Sequence, residues 1–192
     1  MVEGMLNTFF KRFDLFTEEE ITSIGSLFAK RVLTKNSFLV REGEACEEIA
    51  FIESGVFRSF YTSEEGNELT YCFRFPDDLI GAYSAFITGG KSIESIQAIM
   101  NTVIWTIQKK DLDTLAKQLP QWNTFLKMIA EQQYLELEQR VIQFQRLTAQ
   151  QRYNNLIVNH PNYIQYLPLQ YLASYLGITQ RHLSRIRKEI TF

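Results

Sequence analysis

The sequence predicts an α+β chain in three parts: an N-terminal β jelly roll preceded by a helix (1–120), one long helix (121–148) and a C-terminal helix-turn-helix (149–192). Three observations carry this expectation. Between Val32 and Ile107 apolar residues alternate with a period of two, broken at near-regular intervals by turn-forming residues. From Gln121 to Thr148 the chain contains neither glycine nor proline and keeps a helical period. Leu169–Lys188 has the apolar spacing of two short helices that cross at a tight turn.

Taken in order, Thr17 and Glu20 form a capping box ahead of Ile21, Ile24, Leu27 and Phe28, which predicts an amphipathic helix over about 18–30. The segments 37–40, 48–53, 56–61, 68–73, 93–100 and 103–107 read as strands. Turns are expected at Glu42-Gly43-Glu44, Ser54-Gly55, Glu65-Gly66-Asn67, Pro76-Asp77-Asp78 and Gly89-Gly90. Residues 79–90 break the rhythm and fit a single helical turn. Asp111–Leu119 reads as a short helix ended by Pro120.

The long helix carries two apolar stripes. One is Trp122, Leu126, Ile129, Leu137, Val141 and Phe144; the other is Phe125, Met128, Leu135 and Ile142. A helix apolar on two faces must be buried twice. One face can cover the β-roll, and a second copy of the chain is expected on the other, giving a homodimer. Arg152–Val158 continues helical, Asn159–Asn162 forms a turn, Tyr163–Leu167 reads as a short strand, and Pro168 opens the next helix at its first position.

In Leu169–Lys188, Leu172, Leu176, Ile178, Leu183 and Ile186 are the positions that must meet. Ala173 lets the helices approach, Gly177 suits a positive φ at the turn, and Thr179 can cap the second helix. The outward residues Thr179, Gln180, Arg181, His182, Ser184, Arg185, Arg187 and Lys188 are hydrogen-bonding or cationic, the chemistry that reads base edges and holds phosphates. A plain helical hairpin would share the apolar spacing. It would not need the small residue, the glycine and the cationic face together.

Bulk numbers set bounds. The 192 residues are 45% hydrophobic and 22% charged, ordinary for a soluble globular protein, and 15 phenylalanines can fill a sizeable core. The N-terminus lacks the pattern of a signal peptide and no apolar run could span a bilayer, so the expected location is the cytoplasm. Net charge is −2, yet four of the cations and a single acid fall after Thr179, a basic tip on an acidic body. Two cysteines, Cys46 and Cys72, cannot hold an iron–sulfur cluster that needs four thiolates.

A helix-capped roll, a long helix and a C-terminal helix-turn-helix, in that order, resemble the catabolite-activator-like (CRP/FNR) family of bacterial transcription regulators. REGEACEEIAFIESGVFRSF (41–60) is similar to the family's glycine-punctuated roll. EEGNELTYCFRFPDDLIGAYSAF (64–86) is similar to the strand and loop that lead into its phosphate-binding cassette. LGITQRHLSRIRK (176–188) is similar to its recognition element. The resemblance implies a cyclic-nucleotide-binding-like roll, a dimer helix and a winged-helix type of DNA-binding domain whose wing is cut short at Phe192. It further implies a near-palindromic double-stranded operator, RNA polymerase as a protein partner, and a small-molecule effector. The effector pocket would take in Gly81, Ala82, Tyr83, Ser84, Lys91, Ser92 and Ser95.

The chain departs from that pattern in the cassette. Cyclic-nucleotide-binding members follow the glycine with a glutamate for the ribose; here Ala82 follows Gly81. They set an arginine and a serine against the phosphate; here Lys91 and Ser92 stand near that place, with Glu94 close by. Cyclic AMP is therefore not the expected ligand, and either an emptied pocket or a different effector fits. The recognition element departs too, with Gln180 and Arg181 where guanine-reading members have arginine and glutamate.

An enzyme is not expected. Metal-dependent jelly rolls need His and Glu ligands on the strands. The only histidines, His160 and His182, lie outside the roll, so neither a metal site nor a Ser–His or Cys–His pair can form there. The rival reading is a ligand-sensing or protein-interaction module that has lost DNA binding.

Overall fold

A computed structural model describes residues 4–190 of the chain. The elements are α1 (Met5–Lys11), α2 (Glu18–Ser26), β1 (Ala29–Leu33), β2 (Phe38–Val40), β3 (Glu48–Ser54), β4 (Phe57–Thr62), β5 (Glu68–Arg74), β6 (Leu79–Ile80), α3 (Tyr83–Thr88), β7 (Ser95–Ala98), β8 (Thr102–Gln108), α4 (Lys109–Gln118), α5 (Pro120–Arg146), α6 (Ala149–Asn159), α7 (Pro161–Tyr166), α8 (Leu169–Tyr175) and α9 (Gln180–Ile190). Two compact units result. One holds the chain up to Tyr61 together with Phe73–Ile129; the other holds Thr62–Cys72 together with everything from Ala130 on.

The first unit is a double-layered antiparallel roll with strand orders β1-β8-β3-β6 and β2-β7-β4-β5. Its core follows from the strand period of two. Ala50 and Ile52 of β3 and Ile104 of β8 point between the sheets, where they meet Phe57, Ile96 and Ala98. The alternate residues Phe51, Trp105 and Ile107 point outward, into a second core built with the helices. That outer core is aromatic. Phe9, Phe10, Trp122 and Phe125 converge there, with Phe10 and Phe125 centroids 5.4 Å apart and Trp122 and Phe125 5.0 Å apart. Both faces of β3 and β8 are thus buried, while the edge strand β1 stays largely exposed.

The Thr17–Glu20 capping box is present: Glu20 N donates to Thr17 Oγ1 at 3.2 Å and Thr17 N to Glu20 Oε2 at 2.8 Å. The helix stops at Ser26 rather than near residue 30, because Ala29–Leu33 pairs with Thr102–Thr106 as an additional strand. The expected strand over 93–100 shortens to Ser95–Ala98. Helix α1 was not foreseen; it is seven residues long, has no side-chain cap, and is held by burial of Leu6, Phe9 and Phe10. Pro120 does not merely end α4: it opens α5, Leu119 between them being extended.

Tyr163–Leu167 is not a strand. Pro161 starts the short helix α7 there, and Leu167 after it is extended. Pro168 is the residue before α8, with φ −56° and ψ 140°, rather than its first turn. The expected truncated wing concerns residues after Ile190, outside those described.

The two stripes of α5 divide differently from the expected two faces. Trp122 and Phe125, one from each stripe, both sink into the aromatic core of the roll, with Leu126 and Ile129 packed beside them. The burial runs along the helix: its first turns serve the roll, while Leu135, Leu137, Val141 and Ile142 farther on are exposed.

Candidate nucleic-acid interface

Helix α8 ends in a glycine turn that aims α9. Ile178 N donates to Ala173 O and Gly177 N to Ser174 O, each at 3.0 Å, which satisfies the last carbonyls of α8. Gly177 has φ +68°, and a Cβ there would lie 2.8 Å from Phe144 Cε1, so both conformation and space require glycine. Thr179 then caps α9, accepting from His182 N at 3.2 Å. Leu172, Ala173, Leu176, Leu183 and Ile186 are buried where the helices cross, and Tyr153 and Leu156 of α6 are buried in the same unit.

With Leu183 and Ile186 inward, a turn of about 100° per residue puts Arg181, Ser184, Arg185 and Lys188 on the opposite face. Gln180, Arg181, Arg185 and Lys188 are exposed and Ser184 is half-buried; Arg187, also exposed, stands toward the flank. No acid lies in the first turn of α9. Beside this face an open hollow of about 440 Å³ is lined by Thr148, Ala149, Gln150, His182, Arg185 and Glu189. Thr148, Ala149 and Gln150 bring the start of α6 to it, where a capping box has Gln151 N donating to Thr148 Oγ1 and Thr148 N to Gln151 Oε1.

The hairpin between β4 and β5 belongs to the same unit. Thr70 N donates to Ser174 Oγ at 2.9 Å, and Ser174 Oγ donates to Glu68 O at 3.0 Å, so one hydroxyl ties α8 to the strand.

In the roll, the expected effector residues are placed in two short stretches. Gly81 packs so closely on β3 that a Cβ would come within 2.5 Å of Ile49 Cδ1. Ala82 is fully buried, while Tyr83 and Ser84 are exposed at the start of the six-residue α3. Lys91–Ser95 runs against the glycine turn instead: Gly43 N donates to Ser92 O and Ser92 N to Glu44 O, both at 2.7 Å. Ser92 is buried and its hydroxyl donates to Glu94 O at 2.6 Å; Ser95 Oγ accepts from Glu42 N at 3.0 Å. Lys91 is exposed. Cys46 lies between the two stretches, and burial pushes its thiol up, the Ala82 and Glu48 backbone groups offsetting this only in part. Among the described residues no group of three or more His, Cys, Asp or Glu converges as a metal site, and no helix is long and apolar enough to cross a membrane.

Sequence reasoning missed a fully buried arginine, Arg58, on β4. It donates to Gln97 Oε1 at 3.0 Å and its guanidinium lies 3.9 Å from the Phe60 ring centroid. The signal was available: a charge inside VFRSFY has no place on a buried strand unless it is paired.

Residues 30–119 match the family model for the cyclic nucleotide-binding domain. The transcriptional activator protein Anr of Pseudomonas protegens is 29% identical over 160 residues, 83% of this chain and 62% of the relative. The structure of FixK2 from Bradyrhizobium japonicum superposes with a TM-score of 0.75 at 17% identity, covering 85% of this chain and 84% of that one. A protein of the Crp/Fnr family from Eubacterium rectale gives 0.74 at 15% identity, over 96% and 88% of the two chains. The chain is similar to regulators of the CRP/FNR family, and its roll carries the cyclic nucleotide-binding domain. It spans about three fifths of the length of the Anr relative. At this identity the solved structures carry the fold alone.

Proposed function

We propose that this protein is a sequence-specific DNA-binding transcription regulator and not an enzyme, acting as a homodimer in the cytoplasm. The observation that carries the reading is α9: a Thr-capped helix, fixed by a glycine turn, with Arg181, Arg185 and Lys188 on its free face. Gln180 and Arg181, at its N-terminal end, are suited to adenine and guanine edges, and Lys188 to phosphate. The hollow at the start of α6, with His182 and Arg185 on its wall, offers a second place for a backbone phosphate. The exposed apolar residues of α5 supply the second-copy surface, which would set two recognition helices on a near-palindromic operator; RNA polymerase is then the expected protein partner.

We further propose that cyclic AMP is not the effector. Ala82 leaves the ribose hydroxyl without its carboxylate, the Ser92 hydroxyl donates to Glu94 O, and Ser95 Oγ already accepts from Glu42 N. An effector, where one acts, would be a different small anion or an apolar molecule against Tyr83 and Phe86.

Selection of bound sequences from random DNA tests the first reading, followed by shift assays across salt. A recovered palindrome with half-sites about 34–36 Å apart is expected. Binding with no enrichment, or none at low salt, would leave the ligand-sensing module without DNA binding as the better account.

A further inference from the structure

Two arginines close on one phenylalanine where α5 meets the turn before α9. The Arg140 guanidinium lies 4.9 Å from the Phe144 centroid and 3.8 Å from that of Tyr175; the Arg152 guanidinium lies 4.6 Å from Phe144. Both also donate to the C-terminal carbonyls of α8, Arg140 Nη2 to Tyr175 O at 2.9 Å and Arg152 Nη2 to Leu176 O at 2.8 Å. Arg152 Nη1 reaches back to Leu147 O, between α5 and α6, at 2.7 Å. The backbone of Gly177 packs directly on the same ring.

Like charges gather here against their mutual repulsion. Burial first, and Arg140 second, push the Arg152 pKa down. What offsets this is the negative end of α8, whose last carbonyls take one donor from each arginine, together with the faces of two aromatic rings. The result is a joint in which α5, the α5–α6 link and the turn into α9 share one set of contacts. None of its three side chains lies on the outer face of α9.

We propose that Arg140, Phe144 and Arg152 are positioning residues that clamp α9 at a fixed angle to α5, so that the spacing between two DNA half-sites is set through this joint. The proposal rests on the reading of α9 as a recognition helix in a dimer. Half-sites sit about one helical turn apart, and each added base pair changes both their distance and their rotation. A stiff joint therefore accepts one spacing, and a loose one accepts several.

Two measurements on the full chain test this. The first needs no DNA. In Arg140→Gln, amide exchange at Leu176, Gly177 and Ile178 should rise about tenfold or more, with Leu183 inside α9 unchanged. The second uses the palindrome selected by the unmodified protein, the same palindrome with its half-sites moved by one and two base pairs, and a single half-site. Arg140→Gln should keep its single-half-site affinity within about threefold while its preference for the original spacing falls about tenfold. Arg140→Lys should behave like Gln, lacking the planar stack, and Phe144→Leu, which keeps an apolar core, should show the same flattening. Unchanged exchange overturns the clamp. So does an equal loss on single and paired half-sites, the mark of general unfolding. If selection recovers no sequence, the DNA reading fails by itself, and faster or unchanged exchange then supports or sinks the clamp alone.

Discussion

Along α9, Gln180, Arg181, Arg185 and Lys188 stand in solvent, while along Lys91–Ser95 of the roll Ser92 and Ser95 are buried and hydrogen-bonded to their own neighbours. Both stretches fall where the resemblance puts a functional element, and both depart from its usual residues. They differ in where their polar groups are spent. The Ser92 hydroxyl cannot donate to a ligand without first leaving Glu94 O, and a buried group left unsatisfied costs about 1–3 kcal/mol. The polar groups of α9 are free to meet a partner from outside, and those of Ser92 and Ser95 are already engaged within the roll.

The largest expected effect tests the pairing that would make α9 useful. Leu135→Glu with Ile142→Glu should turn dimers into monomers, since unpaired buried charges cost about 3–5 kcal/mol. Light scattering and the shift assay read this together. A monomer already in the unmodified protein at micromolar concentration would remove the second copy from the account.

Next comes the cassette itself. Two missing charge-assisted contacts at about 1.5–3 kcal/mol each weaken a cyclic nucleotide by about 10²-fold or more. Calorimetric titration with cyclic AMP and cyclic GMP should show no binding in the low micromolar range; tight binding would mean that Lys91 or a residue of α5 replaces the missing arginine.

On the recognition end, Arg181→Ala should cost about 1–3 kcal/mol on the preferred sequence and relax the preference, while Lys188→Ala should weaken all sequences alike. Competition with scrambled duplexes separates them. Equal loss everywhere for Arg181→Ala takes it out of the reading role. Gly177→Ala should destabilise the unit that contains α9 by about 1–2 kcal/mol from the left-handed φ alone, with the contact to Phe144 added. Chemical denaturation followed by tyrosine signals checks it, and a neutral result would mean the turn can shift.

The smallest effect lies in the roll. Burial raises the Glu53 pKa, but hydrogen bonds from Lys30 and Trp105 outweigh it and bring the carboxyl below its ordinary range. A depressed folded pKa contributes stability that is present above the unfolded value and lost as pH falls through the folded one. Glu53→Gln should therefore flatten the acid limb of the stability profile slightly and change nothing near neutrality. An unaltered acid limb would show that the pair with Lys30 contributes nothing measurable.

Strand periodicity, the Thr17–Glu20 box and the glycine turn at Gly177 were readable because each is decided by neighbours a few residues apart. The cationic face of α9 was readable for the same reason: once Leu183 and Ile186 point inward, helical geometry leaves little choice for the rest. The short helix α1, the strand Ala29–Leu33 and the helix over Pro161–Tyr166 were not. Their local preferences are weak, and partners distant in the chain settle them: the aromatic core for α1, and Thr102–Thr106 for the strand.

By itself, then, the sequence determined the order of roll, long helix and helix-turn-helix, and which residues α9 can turn outward. Only the tertiary structure decided that Trp122 and Phe125 go into the roll, that Ser92 and Ser95 are hydrogen-bonded internally, and that Arg140 and Arg152 meet on Phe144. The physical reason is separation along the chain. A period or a cap is an energy difference between conformations of one segment. The fate of a serine or an arginine depends on which distant backbone carbonyl or ring the fold brings within about 3–5 Å of it.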